Sequence, residues 1–153
     1  MADSVFFRVQ ALLTTQGAAF DVLHHAPVFT SEEAALVRGT SLSSGAKALI
    51  CRADDCFIMF VLPADRRLES KAARRNLAMR SLRFATVEEV LELTGLKPGS
   101  IPPFGSLFGL PTWCDRRLAD HQIINFNAGD HAISISLSYV DYARIELPQL
   151  ADL

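Results

Sequence analysis

Ile133, Ile135 and Leu137 alternate with Ser134, Ser136 and Ser138 in the segment HAISISLSY, the cleanest two-residue period in the chain. That period places neighbours on opposite faces, so it predicts a strand with the aliphatic residues facing in and the serines facing out. Two further apolar runs, GAKALICR and CFIMFVLPA, are separated by ADD with its acids Asp54 and Asp55, and read as a hairpin. On the first run Lys47, Leu49 and Cys51 share one face, and Ala46, Ala48 and Ile50 the other. LPTWCD and QIINFNA read as strands, and FDVLHH as a short one with Phe20, Val22 and His24 on one face.

Helical spacing appears elsewhere. Val5, Val9, Leu12 and Leu13 predict a first helix, capped by Asp3 or Ser4 and stopped at Gly17. TSEE, Thr30 to Glu33, has the form of a capping box, in which Glu33 reaches back to the Thr30 amide; that helix ends near Gly39. TVEEVLELTG repeats the box with Thr86 and Glu89, is expected to bury Val87, Val90 and Leu91, and stops at Gly95. The stretch ADRRLESKAARRNLAMRSLRF is predicted to be helical and basic. Arg66, Arg67, Lys71, Arg74, Arg75, Arg80 and Arg83 face only Asp65 and Glu69 within it. Strands and helices interleave irregularly, which predicts an α+β fold with a mixed, largely antiparallel sheet.

At 153 residues the chain fits one domain, spanning 1–153, that can bury a core without disulfides or metal. A formal net charge of −2 excludes a generally basic nucleic-acid binder, so any such role rests on a local patch. The candidate patch is the basic stretch, with Arg74 and Arg75 as contacts to a phosphate backbone; the alternative is a solvated helix face. Cys51, Cys56 and Cys114 are odd in number and form no C-x-x-C pair, which argues against a disulfide framework or a structural zinc site. The N-terminus lacks a signal-peptide core and no run is long enough to span a bilayer, so the expected compartment is the cytoplasm.

Three places invite chemistry. Lys47 sits mid-strand among apolar residues, where an ammonium needs a partner; the alternative is a lysine that protects a sheet edge. The segment PGSIPPFG puts three prolines and two glycines into eight positions, too stiff for an ordinary turn. Gly99 lets a ligand approach the backbone, and Pro102 and Pro103 fix the chain, so the remaining amides can serve an oxyanion; the alternative is a plain surface connection. NAGDHA brings Asn127, Gly129, Asp130 and His131 to a turn before the best strand, where the alternative is an ordinary turn histidine. His24 and His25 are adjacent without a nearby cysteine and assemble no metal set. No G-x-S-x-G elbow is present, and GTSLSSGAK departs from the phosphate-loop order because Ala48 follows Lys47.

These three places occur together in one family. TSEEAALVRG, GAKAL, FVLPADRRL, LRFATVEEVLELTGLKPGSIPPFG, LPTWCDRRL and FNAGDHAISI follow one another over roughly residues 24 to 145. In that order they resemble the YbaK and prolyl-tRNA synthetase-associated editing domains. No synthetase catalytic or anticodon-binding domain accompanies them, so the resemblance is to the free-standing, trans-acting members. It implies a barrel-like sheet surrounded by helices, and hydrolysis of the ester between a wrong amino acid and the tRNA 3′-terminal adenosine, with no cofactor and no metal. It makes Lys47 the holder of the terminal nucleotide. The family's G-x-x-x-P loop becomes Gly99 to Pro103, whose backbone orients the carbonyl and the water, the tRNA ribose hydroxyl assisting.

The expected catalytic set is therefore Lys47, Gly99, Ser100 and His131. The expected substrate-binding set is Thr30, Pro103, Phe104, Asn127, Gly129 and Asp130. His131 or Asp130 matches a family position that varies, so the acyl group is open. A small side chain on tRNA-Pro is the expected substrate. Mischarged tRNA is the expected partner, with a synthetase as a second candidate and neither DNA nor membrane implied. A catalytically silent tRNA- or synthetase-binding module and a general small-ester hydrolase are the competing functions.

Overall fold

A computed structural model describes residues 4–153. Helix α1 (Val5–Thr15) begins at Ser4, whose hydroxyl accepts from the Phe7 amide at 3.1 Å; Asp3, the other expected cap, lies outside the described residues. Val9 and Leu13, four apart, are the buried pair on α1. Strand β1 (Phe20–His24) half-buries Phe20 and Val22, while His24 at its end is exposed and meets the Phe6 ring edge-on, centroids 6.2 Å apart. Helix α2 (Ser31–Arg38) is capped by Thr30 and closed by Gly39 at φ +68°, the left-handed geometry glycine adopts without strain. Its box is only half made. Thr30 accepts from the Glu33 amide at 3.1 Å, but the Glu33 carboxylate accepts from Phe29 at 3.3 Å rather than from Thr30.

The hairpin forms as expected from β2 (Ala46–Ala53) and β3 (Cys56–Pro63), in antiparallel register from Ala46↔Pro63 to Ala53↔Cys56. Both faces of β2 are covered. Ala46, Ala48 and Ile50 join the main core with Met59, Val61, Ile124, Phe126, Ile135 and Leu137. Cys51 and Ala53 join a second cluster with Phe60, Leu62 and Ala73.

The long basic helix does not form. Only α3 (Ser70–Asn76) is helical, Ala78 turns out of it at φ +55°, and Leu82–Phe84 becomes β4, an edge strand on β2. The cause is local. At the hairpin turn the Asp54 carboxylate accepts from the amides of Arg80 and Ser81 at 2.8 and 2.9 Å, which draws this segment toward the sheet. Helix α4 (Val87–Thr94) has a complete capping box. Its Val90 and Thr94 point inward, whereas Val87 and Leu91 are 58% and 53% exposed, contrary to expectation. A helix this short buries one narrow stripe, and i,i+4 spacing gives that stripe to Val90 and Thr94.

After the proline-rich loop come β5 (Thr112–Asp115), β6 (Ile123–Asn127), β7 (Ile133–Ser138), α5 (Tyr139–Glu146) and β8 (Gln149–Ala151). Neither α5 nor β8 is among the elements the sequence pattern predicts. One sheet has the order β1-β7-β6 and is antiparallel; the other has the order β4-β2-β3-β5-β8, with β5 parallel to both β3 and β8. The α+β class and the mixed sheet are as expected, but the barrel is not. Among the described residues the two sheets meet at an isolated bridge, Gly45↔Asn125, and β4 and β8 remain open edges.

Candidate active site

At that seam lies a cavity of about 220 Å³. Helix α2 supplies Ala34 and Arg38 to its wall, with Thr30 at the helix cap; the start of β2 supplies Lys47; the end of β6 supplies Phe126 and Asn127; and Gly99 and Ile101 come from the proline-rich loop. Lys47, Gly99, Thr30 and Asn127, drawn from four separate segments by sequence reasoning, thus share one space. Burial lowers the Lys47 pKa, Arg67 lowers it further, and Asp65 and Glu32 partly oppose them. The Lys47 ammonium has no hydrogen-bond or ion-pair partner among the described residues, so it is free to meet a ligand.

The loop is held by its carbonyls. The Gly99 carbonyl accepts from Asn127 Nδ2 at 2.6 Å, the Ser100 carbonyl from the Gly129 amide at 2.8 Å, and the Pro103 carbonyl from the Tyr142 hydroxyl at 2.7 Å. Downstream, Gly105 donates to the Thr112 hydroxyl, which donates to the Glu146 carboxylate at 2.6 Å. The amides are treated differently. Pro102 and Pro103 have none, and those of Gly99 and Ile101 have no partner among the described residues. A backbone fixed by its acceptors and left with free donors suits the binding of a carbonyl oxygen that gains charge. Gly99 is required for its geometry. It stands at φ +92°, and a Cβ there would lie 3.5 Å from His131 Nε2.

Other expected site residues serve the frame instead. The Ser100 hydroxyl donates to the Lys97 carbonyl at 2.8 Å and is buried, so it faces no substrate. Phe104 is fully buried, packed edge-on against Phe126 and Tyr142, and backs the cavity wall without lining it. Pro103 is likewise buried. A Cβ on Gly129 would meet Val5 at 2.9 Å, so this glycine admits α1, and Asp130 closes the turn by accepting from the Ala132 amide at 2.8 Å. His131 stands beside the cavity rather than in its wall. Its ring lies 4.9 Å from that of Phe29, which does line the cavity and is 72% exposed. Arg74 and Arg75 are exposed on α3, away from the cavity wall.

Sequence reasoning missed Arg38. Its Nε donates to the Ser134 hydroxyl at 2.8 Å and its Nη2 to Asn127 Oδ1 at 2.8 Å, and burial lowers its pKa to about 10. Asn127 therefore links Arg38 to the Gly99 carbonyl. Ser134 is buried, so the "outward" face of β7 is a polar seam and not solvent-exposed surface. The available hint was an arginine in the last turn of a helix, a placement usually explained by the helix dipole.

No side-chain nucleophile is prepared here. Burial pushes the Cys51 and Cys114 thiols up to about 12, and no thiol lines the cavity. Among the described residues no three His, Cys, Asp or Glu side chains are grouped to hold a metal ion. Among the same residues no helix is long and apolar enough to cross a membrane.

Comparison with known proteins places this arrangement. The Multifunctional Ser/Thr-tRNA deacylase ProXp-y of Escherichia coli K12 is 35% identical over 150 residues, covering 95% of this chain and 90% of that protein. A proline–tRNA ligase of Bacillus licheniformis is 32% identical over 83 residues, which are 54% of this chain and 14% of the ligase. A crystal structure described as a proposed trans-editing enzyme for prolyl tRNA synthetase superposes with a TM-score of 0.87 at 28% identity, covering 100% of this chain and 98% of that one. A profile for the aminoacyl-tRNA editing domain matches residues 25–145, so the chain belongs to the aminoacyl-tRNA editing domain family.

Proposed function

We propose that this protein is a trans-editing aminoacyl-tRNA deacylase that hydrolyses seryl and threonyl esters at the tRNA 3′ end. The observation that carries the reading is the convergence of Lys47 and the fixed Gly99–Ile101 backbone on one cavity in a chain of this family. The resemblance along 90% of a protein named for deacylating Ser- and Thr-tRNA supports the acyl group. tRNA-Pro is a proposed carrier, supported by relatives within proline–tRNA ligases and by the solved structure linked to prolyl tRNA synthetase.

In this reading Lys47 holds the negatively charged 3′-terminal nucleotide by its ammonium. A water molecule adds to the ester carbonyl carbon, and the carbonyl oxygen becomes an oxyanion facing the free amides of Gly99 and Ile101. The bond from that carbon to the ribose oxygen then breaks. The ribose oxygen takes the proton released by the water, helped by the neighbouring ribose hydroxyl, leaving the free amino acid and intact tRNA. An aminoacyl ester is already activated, so positioning and fixed donors suffice without a covalent intermediate.

The test is a deacylation panel that varies acyl group and tRNA body independently, corrected for spontaneous hydrolysis. Turnover of seryl and threonyl esters is the expected result. No hydrolysis above the spontaneous rate would leave a binding module of the same fold, and turnover of simple esters without tRNA would leave a general esterase.

A further inference from the structure

Resting on the deacylase reading, we propose that Arg38 is a specificity-determining residue whose guanidinium donates to the hydroxyl oxygen of the aminoacyl side chain, the acceptor it otherwise lacks, so that the cavity favours serine and threonine over the size-matched alanine and valine.

The inference begins with an incomplete set of bonds. A guanidinium carries five N–H donors. In Arg38 the Nε donor is taken by Ser134 and one Nη2 donor by Asn127, while Nη1 has no partner among the described residues. No carboxylate compensates it. Arg83, Arg117 and Arg144 each find one, at Glu89, Asp115 and Asp141, yet Arg38 forms no ion pair among the described residues. Arg38 is half-buried and lines the cavity, so its unpaired Nη1 is a charged donor open to a ligand, and hydrogen bonds to charged groups are the stronger ones.

The guanidinium cannot simply turn to find another partner. Ser134, which receives Nε, also contacts His25 Nε2 at 2.8 Å, and His25 Nδ1 meets the Ala26 carbonyl at 2.8 Å. With Nδ1–H donating to that carbonyl, Nε2 accepts the serine proton, and the hydroxyl lone pairs stay directed at Arg38. Asn127 fixes the other edge. The free Nη1 then lies on the Gly45 side of the cavity, where a Cβ on that glycine would be 3.7 Å away. Ala34, Ala35, Ala46 and Ala48 line the same space and offer no side-chain acceptor.

Placement separates this role from oxyanion stabilisation. Arg38 and the Gly99 carbonyl are bridged by the single carboxamide of Asn127. In this proposal an ester whose carbonyl meets the Gly99–Ile101 amides turns its side-chain γ-oxygen toward Arg38, on the other side of Asn127. A pocket that only measures size discriminates weakly, whereas one holding an unpaired polar group rejects the analogue that lacks the hydroxyl strongly.

The experiment charges one tRNA transcript separately with serine, alanine, threonine and valine and measures kcat/KM for wild type, Arg38→Lys and Arg38→Gln, with circular dichroism as the folding control. Wild type is expected to favour seryl over alanyl, and threonyl over valyl, by on the order of 100-fold or more. Arg38→Gln is expected to collapse both ratios to within about threefold, with Arg38→Lys intermediate because a single ammonium replaces the planar fork. A purely structural role through Asn127 would slow all four esters alike and keep the ratios, which overturns the proposal. Equal wild-type rates on seryl and alanyl esters overturn it whether or not the variants fold. Hydrolysis of the esters with the wrong ratios leaves the deacylase reading standing, while a wild type inert on every ester removes that reading and this one together.

Discussion

Asn127 donates its side-chain amide to the Gly99 carbonyl across 2.6 Å, tying the end of β6 to the start of the proline-rich loop. The bond sets the position of a loop that has little regular structure of its own. Asn127→Ala removes it and also strips Arg38 of an acceptor. The expected result is a fall in kcat/KM of about 10–100-fold with a stability loss of about 0.5–1.5 kcal/mol, the range for a typical intramolecular hydrogen bond. Single-turnover deacylation beside urea unfolding checks both. Unchanged activity would mean that the loop holds its shape without β6.

Lys47 should separate stability from activity. Its pKa is lowered chiefly by burial and next by Arg67, so the charged form is disfavoured in the folded state. A lysine that binds protons less readily when folded makes stability rise with pH through the window between its lowered pKa and the ordinary lysine value. Lys47→Met is therefore expected to abolish deacylation while leaving the melting temperature equal or higher, and to flatten that alkaline rise. A variant with full activity would remove Lys47 from the mechanism.

The basic surface yields a prediction about salt. Arg66, Arg67, Lys71, Arg74 and Arg75 are exposed on and just before α3, and Arg67 is close enough to act on Lys47. If tRNA phosphates cross this surface, the affinity falls steeply with salt and each lost contact reduces the slope by about one. Arg74→Glu with Arg75→Glu is expected to raise KM, leave kcat nearly unchanged and flatten the salt dependence. A slope identical to wild type would return α3 to a solvated face.

Asp115 gives an acid-side prediction. Burial raises its pKa, but the Arg117 guanidinium and the amides of Arg117 and Leu153 outweigh this, and the net shift is downward. Its stabilising contribution is complete above the ordinary aspartate pKa and is lost as pH falls through the lowered value. Asp115→Asn should reduce the pH dependence of stability in that acid window. It should also cost about 1–3 kcal/mol by weakening the bonds to Arg117 and to the Leu153 amide. Thermal melts across acid pH measure both effects.

How much of this was legible in the sequence follows from the range of the forces involved. Caps and turns are local, so Thr30, Gly39, Thr86 and Gly95 bounded their helices correctly. The β2–β3 hairpin was equally plain, because one short apolar run follows another across two acids. The basic stretch misled because helical propensity is local while the bond that undoes it comes from Asp54 on another element. Ser134 looked solvent-facing because alternation tells which face a side chain takes, not what covers that face. Arg38 was invisible for the same reason: its partners, Ser134 and Asn127, lie on strands far along the chain. Motif resemblance brought Lys47 and Gly99 together before any geometry did, but it also promoted Ser100 and Phe104, which turned out to support the loop from behind.

The bond from Tyr142 to the Pro103 carbonyl joins residues 39 positions apart, and the Glu146 carboxylate that closes the loop's far end lies later still. During synthesis, the lysine strand and the glycine of the loop leave the ribosome well before the hydroxyl that fastens that loop. A nascent chain lacking α5 already carries the bonds from Asn127 and Gly129 to the start of the loop, but not those from Tyr142 and Glu146 to its far end. The far end of the loop is therefore fixed only once the final helix has been made.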